Sequence, residues 1–408
     1  MSTLVPDQAE DDLLRFREAR LKAAEFGDGV VGAGSAELDF APASVISRRL
    51  LEVIDRGDLG YALPRDLIEL FEATSSWHER AMAWRPRPES LAVAPDITSA
   101  FAFVLMTLAH PNGAVLVPRP GYPKLRRVAW ELGFEVLEYA VRRTPDGHAY
   151  ALDEIEECLR AKRRSLLVLL HPHNPTGHLA QRAELEELGR IVEQHGALVF
   201  SDEVHAPLWL EDDPHTPYAS SSDVARQHTV TALSTSKAWG LAGARVTQLV
   251  LPDGAMGMRA RESSLLSFLE GSVSALGVQA SIAAYECGDP WLDALRARLR
   301  GNRDLVTAFA AESPVISDYV PPGASFLAWM SLAMDPVSET AAKLLQRQAR
   351  LGVLGAEEFG SSCTTWFRLN FGSTPEAVKR YLSLIANAIT TNDDARRAPL
   401  LQPHPGHH

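Results

Sequence analysis

Residues 165–177 read SLLVLLHPHNPTG, residues 197–205 ALVFSDEVH and residues 229–237 TVTALSTSK. Each opens as a short continuous apolar run, the pattern of a strand buried on both faces of a sheet. Each then breaks into polar residues. Between the first two lies Arg182–His195, with Leu185, Leu188, Ile191 and Val192 at helical spacing and Gly196 as a stop. Strand, helix and strand in alternation predict an α/β domain around a largely parallel sheet. Ligands of such sheets sit beyond the carboxyl ends of the strands, which is where the polar clusters fall.

The pattern extends outward. Ala114–Pro118 is an apolar run, Lys124–Leu132 a helix ended by Gly133, and Phe134–Ala140 a further strand. After about residue 283 the alternation stops. A charged amphipathic helix runs from Trp291 to about Ala311, and short strand-like pieces follow at Ser325–Leu332 and Thr365–Asn370, as in a smaller α+β domain. The division expected is an N-terminal segment, 1–44, packing with the small domain, a large domain, 45–282, a small C-terminal domain, 283–394, and a disordered tail, 395–408.

With 408 residues, 46% apolar and 23% charged, the chain is long enough for a large core. Its 40 Lys+Arg against 52 Asp+Glu leave a net charge of −12, without the basic face that nucleic-acid binding requires. The N-terminus is acidic and lacks the apolar core of a signal peptide. The longest apolar stretch, Ala100–Ala109, falls short of the roughly 20 residues of a membrane span. A cytoplasmic protein acting on neither nucleic acid nor membrane is expected. Cys158, Cys287 and Cys363 form no CxxC pair, and all three are expected to be packing residues. His171 and His173 have no third ligand at metal-site spacing and are taken as loop histidines.

The polar clusters define a chemistry. A lysine desolvated at a strand end can form a Schiff base and later act as a base. A buried carboxylate nearby can keep a pyridine nitrogen protonated. Hydroxyls, an arginine and a helix N-terminus can bind a phosphate. These are the requirements of pyridoxal 5′-phosphate.

In NPTG, SDEVH and SxSK…R, in that order and spacing, the chain resembles fold-type I pyridoxal-phosphate enzymes. In GVQASIAAYECGDPWLDALR (277–296) it is similar to the MalY/PatB group of cystathionine β-lyase-like C–S lyases. The resemblance runs from about Ala36 to about Asn387. It implies a large domain with a mostly parallel seven-stranded sheet, a small C-terminal α+β domain, and a homodimer with shared active sites. Lys237 matches the cofactor-bearing lysine and Asp202 the partner of the pyridine nitrogen. Asn174 matches the asparagine on the phenolic oxygen, and His205 stands where aminotransferases carry a tyrosine. Tyr122, in RPGYP, matches the aromatic stacked on the ring. Ser234, Ser236 and Arg245 match the phosphate cup, with the backbone of Ile97 and Thr98 at a helix start. Tyr61, in LGYALP, matches a tyrosine reaching in from the other subunit. Arg368, in FRLNFG, matches the clamp on the substrate α-carboxylate.

Two positions depart from the lyase pattern. Gly240 replaces the usual Asn three residues after the lysine, and Arg245 is present as in aminotransferases. The resemblance therefore implies β-elimination from cystathionine or another S-substituted cysteine. Transamination is the first alternative, with decarboxylation or oxidative deamination of a specialised metabolite behind it. Members of this group can also bind a transcription regulator, a role that would be additional to catalysis.

Overall fold

The computed structural model describes residues 21–334 and 339–397. Its main sheet contains β1 (Leu91–Ala94), β2 (Ala114–Arg119), β3 (Glu135–Thr144), β4 (Gly147–Tyr150), β5 (Leu166–Leu170), β6 (Leu198–Asp202), β7 (Thr229–Leu233) and β8 (Thr247–Val250). Their order is β1-β8-β7-β6-β5-β2-β3-β4. The run from β7 to β3 is parallel throughout, while β8 and β4 are antiparallel to their neighbours. There are thus eight strands where seven were expected. The addition is β4, which closes an edge hairpin with β3.

The central strands are apolar on both faces because both are covered. Val115, Val117, Leu166, Val168 and Phe200 pack in one cluster with Phe101, Phe103 and Leu125. Their neighbours in sequence, Leu116, Leu167, Leu169 and Val199, pack in a second cluster with Ile155, Leu185, Leu188 and Ile191. The period of two along each strand divides the side chains between the layers. Each fully buried Val, Leu or Phe contributes about 1.5–3 kcal/mol. The helix predicted over Arg182–His195 has those bounds, and Gly196 ends it with φ 60°.

A second sheet, β9 (Ile316–Tyr319), β10 (Leu327–Leu332), β11 (Leu354–Gly355) and β12 (Trp366–Asn370), is antiparallel with order β9-β10-β12-β11. The start of the described chain lies against this part of the molecule. Val31–Gly32 pair with Leu351–Gly352, and Asn370 N donates to Ala33 O at 2.9 Å. A buried ion pair, Lys22 Nζ to Asp39 at 3.0 Å, ties the same segment down.

The last helix runs from Pro375 to Arg397, into the stretch 395–408 expected to be a disordered tail; residues 398–408 of that tail, and 1–20 of the N-terminal segment, lie outside the described residues. Two of the cysteines differ from expectation. Cys158 packs at the edge of the core, but Cys287 and Cys363 are exposed, the former because it is the last residue of the helix Ala275–Cys287. Among the described residues no single helix is long and apolar enough to cross a membrane.

Candidate active site

Adjacent parallel strands deliver the predicted residues to one edge of the sheet. β7 leads to Lys237, β6 ends on Asp202, β5 leads to Asn174 and β2 leads to Tyr122. Arg368 comes from the other sheet, on β12 opposite Trp329.

The loop carrying Lys237 is anchored from behind. Trp239 is fully buried and meets Trp77 edge-on at 5.4 Å and Tyr285 at 5.5 Å. Thr235 Oγ1 and Ser281 Oγ share a hydrogen bond of 2.9 Å. A Cβ on Gly277 would stand 1.9 Å from Ala244 O, so only glycine allows this approach. The segment 277–296 is thus a cradle for the lysine loop. Gly240 has φ 68°. That left-handed position suits Gly and Asn alike, so the departure from the lyase pattern at 240 is conformationally neutral.

The charged groups are desolvated. Burial lowers Lys237 to about 8, and Arg368 adds to the effect while Glu37 and Asp202 oppose it. Lys237 Nζ donates to Ala36 O at 2.9 Å. Burial raises Asp202 to about 7, against the Val204 amide and Lys237, which favour its charged form. Val204 N donates to its Oδ1 at 3.3 Å. Burial lowers Arg368 to about 10. Its Nη1 donates to Asn174 Oδ1 at 2.9 Å and its Nη2 to Gly34 O at 2.8 Å, while Nε is buried without a partner. The Phe359 ring centre lies 4.9 Å from the guanidinium carbon.

Burial, with Lys237 and Arg368 nearby, holds His205 neutral, well below the usual histidine range. Ser325, at φ 80°, brings its hydroxyl to 3.2 Å from His205 Nδ1. Burial and the Asp202 charge push Tyr122 up to about 12.

The expected phosphate groups lie beside the helix Ile97–Thr107. Asp96 caps it, accepting from Ser99 N at 2.8 Å, and pairs with Arg245 Nη2 at 2.6 Å. Ile97 and Thr98 are its first two residues. The Ser234 hydroxyl donates to Val246 O at 2.8 Å and accepts from Ser236 N at 3.1 Å. Its proton is thereby committed to the fold, and Ser236 is the half-buried hydroxyl of the pair. Tyr61 stands apart from all of these, 87% exposed. Among the described residues no three His, Cys, Asp or Glu side chains gather as a metal site.

These residues fit pyridoxal 5′-phosphate. Asp202 is a buried carboxylate whose hydrogen bond comes from an amide two residues on, which suits a ring N–H as a further donor. The orphaned Arg368 Nε awaits an acceptor. Gly34, Ala36, Ser325 and Phe359 also enter the site; no motif named them individually, though Gly34 and Phe359 fall in the loops 30–35 and 354–365 where the sequence places side-chain specificity. A cleft of about 690 Å³, bordered by the helix Pro123–Glu131 and residues 357–360, shares Tyr122 and Phe359 with the site.

Residues 29–385 match the family model for class I and II aminotransferases. The cystathionine β-lyase PatB of Bacillus subtilis (strain 168) is 29% identical over 363 residues, covering 87% of this chain and 91% of PatB. The crystal structure of OvoB superimposes with a TM-score of 0.86 at 28% identity, over 96% of this chain and 99% of OvoB. The PLP-bound C–S lyase of Staphylococcus hominis shares the fold, with a TM-score of 0.83 at 22% identity over 96% and 99% of the two chains.

Proposed function

We propose, from the premise that this chain belongs to the class I and II aminotransferase family, that it is a pyridoxal-phosphate-dependent C–S β-lyase. Its substrate class is the S-substituted cysteines, cystathionine among them, and its products are a thiol, pyruvate and ammonia. The observation that carries this reading is the convergence of Lys237, Asp202 and Asn174 at one sheet edge, with Arg368 bonded to Asn174. The names of the curated relatives favour elimination within the family.

When bound, the cofactor supplies a sink for the electron pair released as the Cα–H bond breaks. The protein supplies the rest. Asp202 would face the ring nitrogen and keep its proton in place. Asn174 and neutral His205 would address the phenolic oxygen, and Tyr122 would lie against the ring. Arg245, Ser236 and the amides of Ile97 and Thr98 would hold the phosphate, while Ser234, its proton already given to Val246 O, would brace the Ser236 turn from behind rather than donate to it. Arg368 would grip the substrate carboxylate with the fork edge left by its two structural bonds. Lys237, near neutrality in its free form, would take the Cα proton. The sulfur would then leave Cβ as a thiolate that takes up a proton, and the released enamine is hydrolysed by water to pyruvate and ammonia.

The aminotransferase-like run SKAWGLAGAR favours a second reading, transamination, in which Lys237 would carry the same proton onward and the substrate's amino group would stay with the cofactor. An S-substituted cysteine supplied without keto acid separates the two. Elimination is expected, with thiol, pyruvate and ammonia released over many turnovers. A single-turnover burst that restarts only on addition of a keto acid would replace the lyase with an aminotransferase.

A homodimer with shared sites is part of the same proposal. Tyr61 is exposed, and so are Leu51, Ile54, Leu59, Leu63 and Ile68 near it in sequence, a density of exposed apolar side chains that interfaces commonly carry. Mixing Tyr61→Ala with Lys237→Ala subunits is expected to regenerate one intact site per heterodimer. If confirmed subunit exchange restores no activity, Tyr61 serves its own chain.

A further inference from the structure

Directly behind Asp202 lies a second buried carboxylate that the mechanism above does not use. Glu203 follows Asp202 at the end of β6 and is fully buried. Its Oε1 accepts from Ser201 Oγ at 2.7 Å and from Tyr218 N at 3.1 Å. Its Oε2 lies 2.8 Å from His215 Nε2. The His215 ring is in turn 4.3 Å from that of His171, centre to centre. His171 closes the circle, since its backbone N–H donates to Asp202 O at 2.9 Å. Through that bond the cluster is tied to the Asp202 peptide.

The hydrogen bonds define its charge state. Burial lowers both His171 and His215 to about 3, so both imidazoles are neutral. His171 Nε2 lies 3.0 Å from Thr216 O, an acceptor, which makes Nε2 the protonated nitrogen. His215 Nδ1 is buried without a partner. A bare lone pair there costs less than a bare N–H, so the His215 proton sits on Nε2 and is donated to Glu203. Three donors thus converge on one carboxylate. Burial raises Glu203 to about 7, while the Ser201 hydroxyl and the Tyr218 amide favour its charged form.

We propose that Glu203 and His215 are a positioning pair for Asp202, fixing the strand end and placing a second negative charge behind the carboxylate that faces the cofactor ring nitrogen. This rests on the cofactor assignment of the preceding section. Successive side chains of a strand point to opposite faces, so the backbone stands between the two carboxylates. A unit charge roughly 10 Å from the ring nitrogen, at an effective permittivity of about 20, shifts its titration by roughly one pH unit. On the cofactor side the charged neighbour of Asp202 is Lys237, and the Glu203 charge itself adds to the upward push on Asp202. On the far side Glu203 faces neutral His171 and His215, the Ser201 hydroxyl, the Tyr218 backbone and the Tyr150 phenol, with neutral His78 beyond His215.

Glu203→Gln keeps a carbonyl for Ser201 and Tyr218 and removes the charge. The test is the 15N chemical shift of cofactor labelled at its ring nitrogen, followed against pH in the holoenzyme. The ring nitrogen of Glu203→Gln is expected to lose its proton roughly one pH unit or more below the wild-type value, with cofactor affinity weakened about tenfold. His215→Leu removes the donor and should behave like Glu203→Gln. His215→Gln retains an N–H donor and should restore the wild-type titration. A folded Glu203→Gln protein with unchanged ring titration and affinity would overturn the proposal. If Glu203→Gln does not fold, identical titrations for His215→Leu and His215→Gln would overturn it and distinct ones support it. A wild-type protein that takes up no labelled cofactor would instead sink the cofactor assignment itself.

Discussion

Replacing Lys237 by alanine is expected to lower turnover by at least about 10⁴-fold, since one substitution removes both the covalent anchor and the base. Thiol and pyruvate release from an S-substituted cysteine measures the loss. Borohydride treatment of the wild type followed by peptide mapping should place the cofactor on Lys237, and the variant should carry no such label. Label on another lysine would displace Lys237 from its role. The pH dependence has a definite sign. Burial lowers Lys237 to about 8 from 10.5, so the nucleophilic free amine grows as pH rises towards 8 and saturates above it. The rate at which cofactor-free protein captures pyridoxal phosphate should follow that curve. The same depression means the folded protein bears the cost of a buried ammonium below pH 8 and is relieved of it as pH rises to about 10.5. Cofactor-free Lys237→Ala, without that ammonium, should be more stable than wild type at pH 7, and the gap should narrow through this window.

Arg368→Ala is expected to cost about 2–5 kcal/mol of transition-state stabilisation in kcat/KM, the loss typical of truncating one partner of a buried charge pair. That corresponds to about 30- to 4,000-fold. The covalent cofactor signal should persist, because Arg368 bonds Asn174 and Gly34 rather than Lys237. Arg368→Lys should also be impaired, as an ammonium cannot reproduce the planar fork. A substrate analogue lacking the α-carboxylate should not distinguish wild type from Arg368→Ala. Near-normal kcat/KM in the alanine variant would show that the clamp lies elsewhere.

The parallel strands and their polar ends were legible in the sequence because a strand buried on both faces shows as an unbroken apolar run. Lys237, Asp202 and Asn174 follow such runs directly, and the structure joins Arg368 to Asn174. β4 was not legible, since GHAY is short and half-exposed and gains its place only by pairing with β3. The contacts of Gly34 and Ala36 use backbone carbonyls, which no residue type announces. Ser325 owes its position to a left-handed backbone that its side chain does not advertise. Glu203 was visible as a letter of SDEVH, but its burial depends on His215 and Tyr218 arriving from a later loop. The exposure of Cys287 and Cys363 turned on where a helix ends and how a loop runs, and both escape periodicity.

The carbonyls of Gly34 and Ala36 reach across 334 residues to Arg368 and 201 residues to Lys237. Closing such long loops is the slow, entropically costly part of folding. In a chain made from its N-terminus, β5, β6 and β7 can come together, with Asn174, Asp202 and Lys237 at their ends, while Arg368 is still to be synthesised. The carboxylate clamp is completed only when β12 returns to the first segment of the chain. Cofactor capture and substrate recognition are therefore separated in the order of assembly, so an incomplete or truncated chain could hold the reactive coenzyme before it can choose what the coenzyme meets.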